Sequence, residues 1–133
     1  MSQFVSELKI RIADINYGGH LAHDRLISLM HQARLDFLAH LGGSEVKIGG
    51  VGLIMVSLSV DYKNEAFLNE NLQFSISAEE IKKASFVLNY EIKKDQVLIA
   101  KALTKMAGFD YENHKIQAFN PEFLDALKNY ENK

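Results

Sequence analysis

Leu8, Ile10 and Ile12 alternate with Glu7, Lys9 and Arg11 near the start of the chain. A period of two over residues 7–12 predicts a half-buried β-strand. The run Asp14-Ile15-Asn16-Tyr17-Gly18-Gly19-His20 then breaks the alternation. Asp and Asn bond their own backbone and glycine tolerates unusual angles, so this stretch reads as a turn. From about Asp24 to Leu41 the spacing becomes three and four: Leu26, Leu29, Met30, Ala33, Phe37 and Leu41 form one stripe of a helix. Ile27 and Leu38 widen the stripe, which predicts a heavily covered helix. Asp24 stands at the expected N-cap and Gly42-Gly43 at the expected stop. Some 17 residues at 1.5 Å each would give a helix about 26 Å long.

Four more period-two segments follow. Ile54, Val56, Leu58 and Val60 alternate with Met55, Ser57, Ser59 and Asp61. Leu72, Phe74, Ile76 and Ala78 do so with polar neighbours, as do Phe86, Leu88, Tyr90 and Ile92. Residues 97–109 start apolar on both faces and are interrupted by Lys101 and Lys105. Lys93-Lys94-Asp95-Gln96 is short enough to join the last two strands as a hairpin. Asn120-Pro121 then reads as an N-cap with proline in the first turn of a short helix carrying Phe123, Leu124 and Leu127. The order strand, long helix, four strands, short helix predicts an α+β domain. One curved antiparallel sheet wrapped around the long helix would cover both apolar faces. Its exposed edges invite pairing across a two-fold axis.

The 133 residues suit a single domain spanning 1–133, with no Gly/Ser/Pro-rich linker and no internal repeat. Lys+Arg is 15 against 17 Asp+Glu, which argues against a sequence-independent nucleic-acid binder. The chain has no cysteine, which excludes a disulfide scaffold, a thiolate zinc site and a cysteine nucleophile. No apolar run approaches the ~18 residues of a membrane span, and no signal-peptide pattern opens the chain. A soluble cytoplasmic protein with no nucleic-acid or membrane partner is expected.

Polar residues concentrate between the first strand and the long helix: Asp14, Asn16, Tyr17, His20, His23 and Asp24, with Gly18 and Gly19. Backbone N–H groups at a helix start can hold a developing oxyanion. Asp14 could deprotonate a water, Asn16 could only position one, and His20 could serve as base or donor. Each also has a structural role open to it: Asp14 as a turn former, Asp24 as a helix cap, the glycine pair as a turn. His20-x-x-His23 has metal-pair spacing, but no HExxH, cysteine or carboxylate cluster accompanies it, so no metal is expected. No GxGxxG, P-loop or GxSxG is present. Lys82-Lys83 and Lys93-Lys94 read as solvated strand ends that could also attract phosphates.

The segment from Ile10 to Leu21, followed by Ala33-Arg34 on the helix, resembles the opening of the hotdog-fold acyl-CoA thioesterases. It is most similar to the group that includes 4-hydroxybenzoyl-CoA thioesterase. Val60-Asp61-Tyr62-Lys63 and Phe109-Asp110-Tyr111 are similar to that family's strand endings. The resemblance implies a homodimer joined sheet edge to sheet edge, or a tetramer of such dimers, with sites at the dimer interface. It implies hydrolysis of an acyl-CoA thioester with no cofactor beyond the coenzyme A of the substrate. The aspartate that many members use in this loop falls on Asn16. The acidic residue that others carry on the long helix falls near His31 and Gln32.

The arrangement this leaves puts His20 and Asn16 around the thioester and its water, with Asp14 or Asp24 as acid/base partner. Tyr17, Gly18, Gly19 and Leu21 would line the substrate, and N–H groups from Gly19 to Leu21 would hold the oxyanion. Arg34 is expected to be structural, pairing within the interface. A second reading is a non-catalytic hotdog module that binds acyl-CoA or acyl carrier protein. A third is a dehydratase or hydratase on the same fold, whose Asp/His motif is not found here. Fold alone does not choose among them.

Overall fold

The alternating and helical patterns of the chain become a sheet and two helices in the computed structural model, which describes residues 3–132. The elements are β1 (Phe4–Lys9), α1 (His23–His40), β2 (Gly52–Tyr62), β3 (Asn71–Glu79), β4 (Ser85–Lys94), β5 (Val97–Asp110), β6 (Lys115–Ile116) and α2 (Pro121–Lys128). The strands form one antiparallel sheet in the order β1-β3-β4-β5-β2, with β6 on β5. The expected α+β hotdog architecture, a curved sheet against a long helix, is the one observed.

Alternation builds the core. Leu72, Phe74, Ile76 and Ala78 of β3 and Phe86, Leu88, Tyr90 and Ile92 of β4 are all fully buried. Their registers, Phe74 opposite Ile92 and Ile76 opposite Tyr90, put those side chains on one face. Leu26, Met30, Ala33, Phe37 and Leu38 of α1 complete the core. Each fully buried large apolar side chain contributes about 1.5–3 kcal/mol relative to exposure. The C-terminal segment closes one end of the layer. The Tyr130 carbonyl accepts the Ala78 N–H at 2.8 Å, and the Tyr130 ring meets Phe37 edge-on with centroids 5.2 Å apart.

Three sequence expectations shift, and one short strand goes unanticipated. The first strand ends at Lys9, and residues Ile12–Asp14 form a 3-10 turn, so Ile12 is 73% exposed rather than core. The N-cap of α1 is Ala22, not Asp24; Asp24 sits one position inside the first turn, where its charge suits the helix dipole. The alternation of β2 predicted one buried face, yet Met55, Val56 and Leu58 are all substantially exposed, and the register is irregular between Met55 and Ser57, which interrupts the alternation there. β6, only two residues long, carries no period to detect. The helix stop is as expected: Gly42 takes a φ of +90°, and the Gly43 N–H returns to the Leu38 carbonyl at 2.9 Å. The cap of α2 also forms, the Asn120 side chain accepting the Phe123 N–H at 2.9 Å.

Candidate active site

The turn between β1 and α1 is built by its own short polar side chains. Asn16 Oδ1 accepts the N–H of Gly18 at 3.0 Å and that of His20 at 3.2 Å. The Asn16 N–H donates to the His20 carbonyl at 2.9 Å, and the Gly19 N–H to the Asn16 carbonyl at 3.0 Å. Gly19 takes a φ of +83° to close this loop, a conformation that glycine adopts without strain. Just before it, the buried Asp14 carboxylate accepts the Arg11 backbone N–H at 2.8 Å and both Nε and Nη2 of the Arg11 guanidinium at 3.3 Å. Burial pushes the Asp14 carboxyl up, but the Arg11 hydrogen bonds and charge outweigh it and hold the group below the usual carboxylate range.

A second segment, 63–70, zips alongside this loop. The Leu21 N–H donates to the Ala66 carbonyl at 2.8 Å, and the Asn69 N–H to the Ile10 carbonyl at 2.9 Å. The Tyr62 hydroxyl donates to the His23 carbonyl at 3.0 Å, fixing the end of β2 to the start of α1. Burial, with the nearby Asp24 charge, raises the Tyr62 phenol above its ordinary range.

These elements enclose a cleft of about 390 Å³ lined by Asn16, His20, Leu21, His23, Leu26, Tyr62, Lys63, Asn64, Glu65, Ala66 and Ile99. Of the residues singled out in the loop sequence, Asn16, His20, Leu21 and His23 reach it. Asp14 is buried against Arg11 behind the turn. Asp24 lies on the first turn of α1, outside the lining. Tyr17 is fully exposed at the tip of the loop, and Gly18 and Gly19 form the turn rather than the wall. Tyr62 and Lys63 belong to the strand ending that the resemblance marked without a role, while Asn64 and Glu65 are additions that no local pattern marked, since they arrive from a segment some forty residues away in sequence.

The donors for an oxyanion also lie elsewhere than expected. The N–H groups of Gly18, Gly19, His20 and Leu21 all bond within the chain, and that of Ala22 donates to the Asp14 carbonyl at 2.9 Å. Ala22 has no side-chain oxygen, so the first-turn amides of α1, from His23 to Arg25, are uncapped. Of these three residues only His23 lines the cleft, so its uncapped amide and the positive end of the helix dipole lie at that edge of the site. His20 lines the same cleft, its ring packed on Phe67 with centroids 5.3 Å apart.

Arg34 was expected to pair across an interface. It pairs within the chain: its Nε donates to Glu45 at 2.9 Å and its Nη1 to the Tyr90 hydroxyl at 3.3 Å. A larger depression of about 590 Å³ lies between the end of α1 and α2, but its only ionisable liners are Lys47 and Glu122. Among the described residues, no group of three or more His, Asp or Glu side chains converges as a metal-ligand set would. Nor is any helix of these residues long and apolar enough to cross a membrane.

Fold and cleft together define a hotdog domain in which the helix start and the histidine-bearing loop line one cleft. The family comparison agrees: residues 10–127 match the thioesterase-like superfamily, and the chain belongs to it. Among curated relatives, a protein of Aquifex aeolicus that bears an esterase name is 26% identical over 94% of this chain and 98% of its own length. An acyl-CoA thioesterase of Haemophilus influenzae is 23% identical over 93% of each chain. Among solved structures, a 1,4-dihydroxy-2-naphthoyl-CoA thioesterase from Synechocystis superposes with a TM-score of 0.86 at 19% identity, covering 98% of this chain and 99% of that one.

Proposed function

We propose that the protein hydrolyses an acyl-CoA thioester to a carboxylic acid and free coenzyme A. The observation that carries this reading is that the uncapped start of α1, at His23, and the His20 imidazole line one cleft. A thioester carbonyl set against the His23 amide would have its developing negative charge stabilised by a donor that no side chain caps and by the helix dipole behind it. His20 then stands where it can take a proton from water. Asn16 holds the loop through Oδ1, which leaves its amide NH2 as the group it can offer a substrate. Lys63 supplies the cation of the cleft and suits a phosphate of coenzyme A.

The reading includes a single hotdog domain, a homodimer and a cytoplasmic location. The dimer is supported by the eleven-residue edge strand β2, with its exposed Met55, Val56 and Leu58. An unpaired edge of that length and character is a template for pairing, and a second copy of β2 is the natural occupant. Tyr62, the last residue of β2, lines the cleft, so such a pairing would bring the partner beside the site.

The test is a panel of aliphatic and aromatic acyl-CoA substrates read out by free thiol. Stoichiometric thiol release with the matching acid is expected for at least one acyl class. Binding of the panel without any thiol release would overturn the hydrolase reading and leave a binding module.

A further inference from the structure

We infer that Glu65 is the positioning carboxylate of the hydrolytic site, holding His20 as the general base in place of the acid that Asn16 does not supply; this rests on the thioesterase reading above. Glu65 is the one carboxylate among the residues that line the cleft. Its Oε2 lies 3.3 Å from His20 Nδ1, within ion-pair reach. Nδ1 is nonetheless the one buried side-chain nitrogen or oxygen without a hydrogen bond among the described residues. The two facts are compatible, since the pair is close but does not meet hydrogen-bond geometry. A buried imidazole nitrogen left without a hydrogen bond is costly, and a small rotation of the exposed Glu65 side chain would satisfy it.

The surroundings favour that closure. The Phe67 ring packs on the imidazole, and the Leu21–Ala66 hydrogen bond fastens the two backbones on either side of the pair. Gly18 leaves the other edge of the ring open, because a Cβ there would stand 3.3 Å from His20 Cδ2 and 3.8 Å from Nε2. With Nδ1–H donating to Glu65, Nε2 is the nitrogen that carries a lone pair. A water then gives its proton to Nε2 as its oxygen bonds to the thioester carbon. The tetrahedral intermediate collapses, the C–S bond breaks, and the proton on Nε2 passes to the leaving sulfur. Thioester plus water gives acid plus thiol, and Glu65 changes neither charge nor covalent state.

The experiment compares wild type, Glu65→Gln, Glu65→Asp and His20→Ala in thiol release from the best acyl-CoA of the panel. Glu65 has a side chain 66% exposed, so Glu65→Gln is expected to keep the melting temperature of wild type. Its kcat should fall about 10- to 100-fold with KM little changed, as loss of an orienting group in acid–base catalysis predicts. Glu65→Asp should restore part of that loss, which a residue that merely packs the loop would not do. An active wild type with unchanged kcat in Glu65→Gln overturns the inference alone. A wild type silent on the whole panel overturns the hydrolase reading and the inference with it.

Discussion

The Asn16 side chain accepts the backbone N–H of His20 at 3.2 Å, so the residue at the position of the family's expected aspartate shapes the loop that carries the histidine. A carboxylate at this position could accept the same two N–H groups that Asn16 Oδ1 holds from Gly18 and His20. Asn16→Asp is therefore expected to fold as wild type, with a change in stability within about 0.5 kcal/mol. Asn16→Ala leaves both N–H groups without their acceptor and should cost about 1–2 kcal/mol, with turnover reduced because His20 loses its fixed place. Thermal melts of the two variants, paired with thiol-release rates, check the distinction. Equal melts for both would mean that the side-chain bonds do not hold the turn.

Asp14 belongs to stability rather than to the reaction. Burial alone would raise its carboxyl, but the hydrogen bonds and charge of Arg11 bring it below its ordinary range. A carboxyl depressed in the folded state binds its proton more readily when unfolded. Its stabilising contribution is thus fully present above the usual carboxylate range, around pH 4 and higher, and is lost as pH falls through the lowered folded value. Asp14→Asn keeps the shape, loses the charge and should cost about 1–3 kcal/mol at neutral pH. The difference from wild type should shrink in denaturant titrations as the pH is lowered toward 3. A gap that stays constant over that range would show that the Arg11–Asp14 contact is not the origin.

Periodicity carries furthest where a residue's neighbours in sequence decide its burial. The faces of β3 and β4 were legible because both strands lie inside the sheet, where every second residue must meet α1. The same alternation misled at β2, since Met55, Val56 and Leu58 are exposed on both of its faces and a period does not encode which stretch of a strand is covered. Ile12 was misplaced because the chain leaves the sheet at Lys9, and the Asp14 carboxylate captures the Arg11 backbone instead. In the candidate site, Asn16, His20 and Leu21 could be found because they share one short polar run. Glu65 could not: an acidic residue in a loop has no signature, and it reaches His20 only through tertiary pairings such as Leu21–Ala66 and Asn69–Ile10.

The long helix is anchored to the sheet by a buried polar chain rather than by apolar contacts alone. Arg34 bonds Glu45 at 2.9 Å and Tyr90 at 3.3 Å, and the Tyr90 hydroxyl contacts Thr104 Oγ1 at 2.9 Å. Burial works against the Arg34 charge, and the Tyr90 and Glu45 contacts more than restore it. For Glu45, burial pushes the carboxyl up, while the His31 and Arg34 hydrogen bonds bring it below its ordinary range. Arg34→Ala would leave Glu45 and Tyr90 short of a partner and a hole beneath α1, at a cost of about 3–5 kcal/mol. Tyr90→Phe removes one hydroxyl and should cost only about 1–3 kcal/mol. Chemical denaturation of both variants should show that order. A milder effect for Arg34→Ala than for Tyr90→Phe would mean that the helix is held by its apolar stripe alone.

The outer edge of β2 offers the most direct reading of assembly. Met55, Val56 and Leu58 are 45%, 53% and 37% exposed on a strand that pairs only with β5 among the described residues. Proteins that stay monomeric guard such edges with lysine or proline, and between Leu53 and Val60 this strand has neither. If two copies pair through β2, Val56→Lys puts a charge beside its own symmetry mate or against apolar neighbours at the seam. Either placement disfavours the dimer, while burial in the monomer is little affected because Val56 is already half exposed. Light scattering after size exclusion should give about twice the chain mass for wild type and a shift toward the single chain for Val56→Lys. The sheet and helix signals in circular dichroism should remain. A wild-type protein that runs as a monomer at micromolar concentration would refute the edge-to-edge pairing, and a Val56→Lys variant that stays fully dimeric would place the seam on another surface.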